Sequence, residues 1–287
     1  MLKHALYNLS NFVKVHSPLP RNDLVIVYTM RKVASTTITN TLRNKGFVVY
    51  KQHCLNSINN NRFTDALMKA KEPVQHWLFD GKRFYKRLQL WKIYRNAHRC
   101  KIIVLVRDPL ILNLSDIFTQ LTVEFPLEFK RLMLDVDTNL TTFAFNTLNK
   151  QLKNTLLDEY FYYLTDFPKH WFHSELKSIF GIDVFQTEFP KDQGYQIYQG
   201  AYVDVLLIRS EDVNKIASKA LNEFLGLDLV GLDNRNVTEK EGYASLYQQM
   251  KSNFKLSSEF LDTYYAQSYV NHFYTEAEVE NFKSNWL

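Results

Sequence analysis

Three short apolar runs stand out along the chain, and each predicts a buried strand. They are Leu24–Tyr28, Ile102–Val106 and Val205–Ile208, all rich in Val, Ile and Leu. Near-continuous apolar runs of this length are typical of parallel strands that are covered on both faces. Each run is followed by polar residues and then by a stretch with helical features. The pattern predicts an α/β fold with a mainly parallel central sheet flanked by helices.

The first run leads through a short polar loop into a predicted helix. Ile38 and Leu42 have the i, i+4 spacing of one helix face, and Gly46 is expected just beyond the helix end. The loop, Thr29–Thr37, contains Lys32 and several hydroxyl residues. A strand, a tight turn and a helix N-terminus together form an anion site, because the unpaired amides and the dipole of the first turn favour negative charge.

An ordinary turn is the alternative for this loop, with its hydroxyl residues serving only to cap the helix. A Walker A loop fits the residues poorly. The loop has no glycine, and Lys32 precedes the hydroxyl residues by several positions.

The second run ends in residues that also suit an anion. Arg107 follows Ile102–Val106 directly, Asp108 is a natural N-cap, and Pro109 suits the first helical position. Ligands of open α/β sheets bind outside the carboxyl ends of the strands. Arg107 and Lys32 are therefore expected to converge on one crevice.

These two segments resemble sulfotransferases that use 3′-phosphoadenosine 5′-phosphosulfate (PAPS). The run Lys32-Val33-Ala34-Ser35-Thr36-Thr37 is similar to the 5′-phosphosulfate loop of that family, roughly K-x-G/A-S/T-T. Arg107 and Ser115 have the spacing of the arginine and serine in its 3′-phosphate motif. Many carbohydrate sulfotransferases carry another arginine where this chain has Leu112. The stretch from Val205 to Gly226 resembles a later segment of the family with a mainly structural role.

The resemblance implies a P-loop-NTPase-like sulfotransferase fold in a single domain, residues 1–287. It implies an enzyme that moves a sulfuryl group from PAPS to a hydroxyl of a carbohydrate or polysaccharide, without a metal. Lys32 would stabilise the leaving oxygen. The residues implied to bind PAPS are Arg31, Lys32, Val33, Ala34, Ser35, Thr36, Thr37, Arg107 and Ser115, with Lys240 and Gly242 from a loop that closes over the nucleotide. The end of the chain is similar to bacterial proteins grouped as capsular polysaccharide synthesis proteins.

A general base is also required, because the acceptor hydroxyl must lose its proton as the sulfuryl group arrives. Histidine, with an unperturbed pKa of about 6.5, can accept it near neutral pH. His53 follows a predicted second strand, Phe47–Tyr50, and His76 lies on another predicted strand, Val74–Phe79. His53 is favoured because its strand comes directly after the phosphosulfate loop. A core histidine is the alternative for each.

Two other classes of function stay open. A nucleotide kinase or NTPase could be built on a similar sheet, and it would depend on magnesium; the missing Walker A loop argues against it. A catalytically inactive glycan-binding relative is the other. The presence of Lys32, Arg107 and Ser115 argues against an inactive relative, because such a relative would be free to lose these residues.

Composition narrows these possibilities only slightly. The chain has 287 residues, 46% of them hydrophobic, and a net charge of +5, which does not demand a polyanionic partner. The segment Gly81–Arg107 is basic and contains no acidic residue. It predicts a packed helix with a solvated basic face, or a surface for an anionic glycan or for the cofactor. No nucleic-acid-binding motif accompanies it.

The two cysteines, Cys54 and Cys100, have no metal-ligand spacing, and free thiols in a reducing compartment are the default expectation. No signal peptide or transmembrane run is found in the sequence, which favours a cytoplasmic enzyme of bacterial type or an excised domain.

The remaining segments predict a helical C-terminal part. Trp171–Phe180 is predicted as a helix and Gly181–Gly200 as a loop-rich segment. Near the end, helices are predicted to begin at Ser257 or Ser258 and at Thr275, which forms a capping box with Glu278. The segment Phe118–Phe167 is also predicted to be helical.

Overall fold

The computed structural model describes residues 23–53, 99–113, 115, 168–233 and 256–287. The chain separates into two compact units. The first consists of Met1–Val106 with His170–Asn234, and the second of Arg107–Lys169 with Arg235–Leu287. That the whole chain forms a single domain stays a prediction.

One sheet organises the described part of the first unit. Its strands are β1 (Leu24–Tyr28), β2 (Val48–Gln52), β3 (Cys100–Val106), β4 (Tyr195–Gln199) and β5 (Val203–Arg209). The strand order is β2-β1-β3-β5-β4. Neighbouring strands are parallel except for β4, which runs antiparallel to β5. The mainly parallel α/β sheet expected from the apolar runs is confirmed.

The strand order reverses at β1, since β2 lies on one side of it and β3 on the other. Thr29, just after β1, is tied to both neighbours. Its amide donates to the Gln52 carbonyl at 3.2 Å, and its buried hydroxyl exchanges two 3.0 Å hydrogen bonds with the main chain of Leu105. In open α/β sheets, ligands bind beyond the strand ends at such a reversal point.

Two helices of the first unit pack on the sheet as their apolar spacing requires. In α1 (Ser35–Asn44), Ile38 and Leu42 are fully buried, and Gly46 follows the helix end in a left-handed conformation. The predicted helix termination is therefore confirmed.

The helix predicted at Trp171–Phe180 is present and contains a π-helical segment, Phe172–Lys177, followed by α2 (Ser178–Phe180). The rings of Trp171 and Phe180 each lie 5.5 Å from the Tyr28 ring. The Tyr28 hydroxyl donates to the fully buried Glu175. This helix therefore covers the end of β1 with aromatic rings and satisfies a buried carboxylate there.

Next along the chain, α3 (Val213–Leu225) follows β5 and ends at Gly226, which is left-handed as a C-terminal glycine should be. The strand predicted from the apolar run Val205–Ile208 and the helix predicted after it are confirmed.

The prediction that Gly181–Gly200 is loop-rich is wrong for its last residues, which form β4. A strand at the sheet edge buries one face at most, so Tyr195–Gln199 has no apolar run. It is held instead by backbone pairing with β5, in the register Tyr195 opposite Ile208. The second strand is also shifted from Phe47–Tyr50 to Val48–Gln52.

The second unit ends in three helices, α4 (Ser258–Tyr265), α5 (Ser268–Phe273) and α6 (Glu276–Ser284), so the helical C-terminal part is confirmed. The Ser257 side chain caps α4, and Thr275 and Glu278 form the predicted capping box of α6. Across the described ranges, no helix combines the length and the apolar character needed to cross a membrane.

A substitution at Gly194, just before β4, tests how closely this part of the chain packs against α3. Gly194 has φ +73°, and a Cβ added there would lie 2.8 Å from Ile216 Cδ1 and 3.3 Å from Asp212 Oδ2. Gly194→Ala should destabilise the protein by about 2–4 kcal/mol, because a left-handed alanine costs about 1–2 kcal/mol and overpacking adds to it.

Gly181→Ala is the matched control for this substitution. Gly181 also has φ +73°, but nothing lies within 4 Å of its added Cβ, so only the backbone cost of about 1–2 kcal/mol applies. Urea unfolding measures both free energies. Equal losses in the two variants would contradict the packing of Gly194 against α3.

Candidate functional site

The loop between β1 and α1 has an unusual backbone. Lys32 and Ala34 both have positive φ, at 62° and 59°, and Val33 between them does not. Such alternation turns successive main-chain N–H groups towards one concavity, which is a typical anion-binding arrangement. Neither residue is glycine, so each left-handed position costs about 1–3 kcal/mol and has to be maintained by surrounding contacts.

Helix α1 begins at this loop without a side-chain cap. Its N-cap residue is Ala34, which makes no side-chain capping hydrogen bond. The hydroxyl-capping alternative from the sequence is therefore wrong. Thr36 is exposed at the helix start, and Ser35 is buried with its carbonyl accepting from the Thr39 hydroxyl at 2.7 Å. The Thr37 amide donates to the Ala34 carbonyl at 3.2 Å. The positive end of the helix dipole lies at this loop and favours negative charge there.

Contacts with the core maintain the loop conformation. Met30 and Val33 are fully buried. The Ser210 hydroxyl donates to the Val33 carbonyl at 2.9 Å, and the Ser210 amide donates to the Val106 carbonyl at 2.8 Å. Ser210 therefore links the loop to the end of β5. Its sequence position directly after the β5 run was the only signal of this role.

Positive charge gathers beside the loop. Lys32 is half-buried, Arg31 is exposed, and Lys51 of β2 donates from Nζ to the Thr36 hydroxyl at 3.1 Å. The pKa of Lys51 is lowered, first by burial and then by repulsion from Arg43 and Lys32. Lys51 was not among the predicted site residues. The cations repel one another here, so a multiply charged anion would be favoured.

His53 lies at the end of β2 with a defined ring orientation. Its Nδ1 is 2.8 Å from the Thr29 carbonyl oxygen, which can only accept. Nδ1 therefore carries hydrogen, and the neutral ring has its lone pair on Nε2. The Trp171 indole donates to the His53 carbonyl at 2.8 Å.

The electrostatic surroundings of His53 favour its neutral form. Burial lowers the pKa of His53, the hydrogen bond to Thr29 opposes that shift, and the charges of Lys51 and Arg31 lower it further. A neutral imidazole near pH 7 can accept a proton at Nε2.

The second unit contains the other predicted anion residues. Arg107 and Ser115 are both half-buried. Asp108 caps the helical residues 109–113, accepting from the Leu110 amide at 2.9 Å, so the predicted N-cap is confirmed. Lys32 belongs to the first unit, and its convergence with Arg107 stays a prediction.

Asp108 is fully buried, and the Tyr265 hydroxyl donates to its Oδ1 at 2.9 Å. Burial raises the pKa of Asp108 to about 6, against the opposing effects of the Tyr265 and Leu110 hydrogen bonds and of the Arg107 charge. The Asp108 carboxyl group is thus close to half protonated in mildly acidic solution.

Several predicted residues lie outside the described ranges, and their roles stay predictions. These are His76 with its strand Val74–Phe79, the basic segment up to residue 98, Lys240 and Gly242. In the part of the chain that the structure describes, no group of three or more His, Cys, Asp or Glu side chains is arranged to hold a metal ion.

Comparison with known proteins gives one similarity. Residues 145–275 match the NKWYS family model, described as "Putative capsular polysaccharide synthesis protein". The match covers less than half of the chain and includes β4, β5 and α3 to α5, but neither the β1–α1 loop nor Arg107. No curated protein and no solved structure matches the chain. The similarity is consistent with a carbohydrate-related role.

The burial of Asp108 predicts a specific pH dependence of stability. The pKa of Asp108 is above its unfolded value of 3.8, so the folded protein holds the proton more tightly. The protein should therefore lose stability as the pH rises from about 4 to about 6, by roughly 3 kcal/mol from this group.

Asp108→Asn retains an oxygen for Leu110 and Tyr265 and removes the titration. Urea unfolding at a series of pH values should show that the variant gains stability relative to wild type as the pH rises through this window. Parallel stability curves for the two proteins would show that the carboxyl is solvated rather than buried.

Proposed function

We propose that the protein is a PAPS-dependent sulfotransferase that transfers a sulfuryl group to a hydroxyl of a carbohydrate or polysaccharide. The observation that carries this proposal is the β1–α1 loop, where main-chain N–H groups, an uncapped helix start and the cations Lys32 and Lys51 favour a multiply charged anion. The loop does this without glycine, and its Ala34 stands where the phosphosulfate loop that it resembles has glycine or alanine. With this function we assign the sheet to the P-loop-NTPase-like sulfotransferase fold.

The carbohydrate acceptor is supported by the family model that matches residues 145–275, whose description names capsular polysaccharide synthesis. The acceptor class is therefore a polysaccharide or its precursor, with free hydroxyl groups on sugar rings.

Each group of candidate site residues has a proposed role that follows from its chemistry. The loop amides, with Ser35 and Thr36, would hold the 5′-phosphosulfate, and Lys32 would stabilise charge on the leaving oxygen. Such stabilisation of developing charge by fixed donors is the largest contribution in many group-transfer enzymes. Arg107 and Ser115 would hold the 3′-phosphate. PAPS supplies the activated sulfuryl group when it is bound.

His53 is our choice for the general base. Its Nδ1–H is occupied by the Thr29 carbonyl, and this arrangement leaves Nε2 able to accept the acceptor proton. The same arrangement, in which one ring nitrogen is fixed and the other accepts, is used by histidine bases in other enzymes.

The donor assignment predicts nucleotide selectivity. Adenosine 3′,5′-bisphosphate should bind roughly 10- to 100-fold more tightly than AMP, because charge-assisted hydrogen bonds to the 3′-phosphate contribute roughly 1.5–3 kcal/mol. Isothermal titration calorimetry measures both affinities. A titration with ATP and magnesium distinguishes a sulfotransferase from a kinase or NTPase.

Arg107→Gln should remove this selectivity. Lys45→Ala is the control, since Lys45 is an exposed cation at the far end of α1 and should leave the selectivity unchanged. Equal affinity of the wild type for the two adenosine nucleotides would refute the donor assignment, and tight magnesium-dependent ATP binding would favour the kinase alternative.

The base assignment predicts a loss of turnover without a loss of binding. His53→Ala should lower kcat by about 10²- to 10⁴-fold, the usual contribution of a general base, while binding of adenosine 3′,5′-bisphosphate is retained. Transfer of radiolabelled sulfate from PAPS to a panel of polysaccharides measures kcat.

His173→Ala serves as the control, because His173 is an exposed histidine on the neighbouring π-helical segment. Near wild-type turnover in His53→Ala would leave His76 as the remaining predicted base and would remove His53 from the mechanism.

A further inference from the structure

The main chain of Arg107 is held by one side chain from the C-terminal helices. The Tyr269 hydroxyl donates to the Arg107 carbonyl at 2.9 Å and accepts from the Arg107 amide at 3.2 Å. Both peptide groups that flank the Arg107 Cα are therefore fixed by a single oxygen. Tyr269 is itself fully buried, and its ring packs edge-on against Phe273 at 5.2 Å.

Two more tyrosines hold the residues that follow. The Tyr265 hydroxyl donates to Asp108 at 2.9 Å, and the Tyr264 hydroxyl accepts from the Asn113 side chain at 2.7 Å. Both tyrosines are buried in α4. Residues 107–113 are thus anchored at their beginning, at the helix cap and at their end by three hydroxyl groups of the same helical region.

These hydrogen bonds fix the backbone position from which the Arg107 side chain extends. A residue just beyond a strand end has lost the sheet ladder on one side, so its peptide groups need other partners when they are buried. If water supplied them, the backbone could adopt several conformations, and a bound phosphate would have to select one of them. A buried hydroxyl bonded to both peptide groups removes that freedom before the ligand arrives.

We propose that Tyr269, with Tyr265 and Tyr264, is a positioning residue for recognition of the 3′-phosphate through Arg107. This inference rests on the proposed function, in which Arg107 binds that phosphate. The aromatic residues of the C-terminal helices then have a binding role as well as a packing role. Ligand discrimination by one segment is set by tyrosines more than 150 residues further along the chain.

Tyr269→Phe tests the proposal, because it removes one oxygen and keeps the buried ring. The ratio of the affinities for adenosine 3′,5′-bisphosphate and AMP should fall by about fivefold or more, with AMP affinity unchanged. General destabilisation of the protein would weaken the binding of both nucleotides equally and leave the ratio of the two affinities unchanged. Amide hydrogen exchange, followed by NMR, should also become faster at Arg107.

Tyr195→Phe is the matched control. It removes a hydroxyl bonded to Glu223 at 2.7 Å in the first unit and should leave the ratio unchanged. Tyr265→Phe gives a second test that does not depend on how well Tyr269→Phe folds, and it should lower the ratio in the same direction.

The outcomes separate the inference from the function on which it rests. A wild type that prefers the bisphosphate, together with tyrosine variants that keep the full ratio, would overturn the positioning role and leave the proposed function standing. A wild type that does not distinguish the two nucleotides would overturn the proposed function, and this inference with it.

Discussion

The end of β1 depends on the hydrogen bonds of Thr29. Its amide extends the pairing with β2, its hydroxyl replaces a ladder contact with Leu105 of β3, and its carbonyl accepts from His53. Thr29 lies just beyond the regular ladders that β1 forms with β2 and with β3, at the point where the strand order reverses. One small β-branched hydroxyl residue therefore joins three strands, orients the candidate base and starts the candidate anion loop.

Side-chain hydroxyl groups satisfy peptide groups in two segments that follow strand ends. Ser210 does this for Val33 in the first unit, and Tyr269 does it for Arg107 in the second. A buried unsatisfied peptide group costs about 1–3 kcal/mol, so such partners are required by stability alone. In the proposed function, these contacts would give the loop and Arg107 defined conformations before the nucleotide binds. Lys51 adds repulsion that an anion would relieve, and binding should therefore raise its lowered pKa.

The sequence by itself determined those features whose causes are local. The apolar runs specified β1, β3 and β5, because buried parallel strands need apolar residues on both faces. Caps were equally readable, since an N-cap side chain bonds only two or three residues ahead and a left-handed C-terminal position selects glycine. The residues predicted in this way are Asp108, Ser257, Thr275 and Gly46.

The tertiary structure decided what depends on residues far apart in the chain. The edge strand β4 has no apolar run because backbone pairing with β5 holds it. Lys32 and Ala34 are left-handed although neither is glycine, since buried neighbours and the Ser210 hydrogen bond impose a conformation that local preference disfavours. The pairing of Tyr269 with Arg107 spans 162 positions, and no local pattern distinguishes that hydroxyl from those of the other tyrosines. Local chemistry can be recognised along a sequence, whereas a long-range hydrogen bond is set only when packing brings its two partners together.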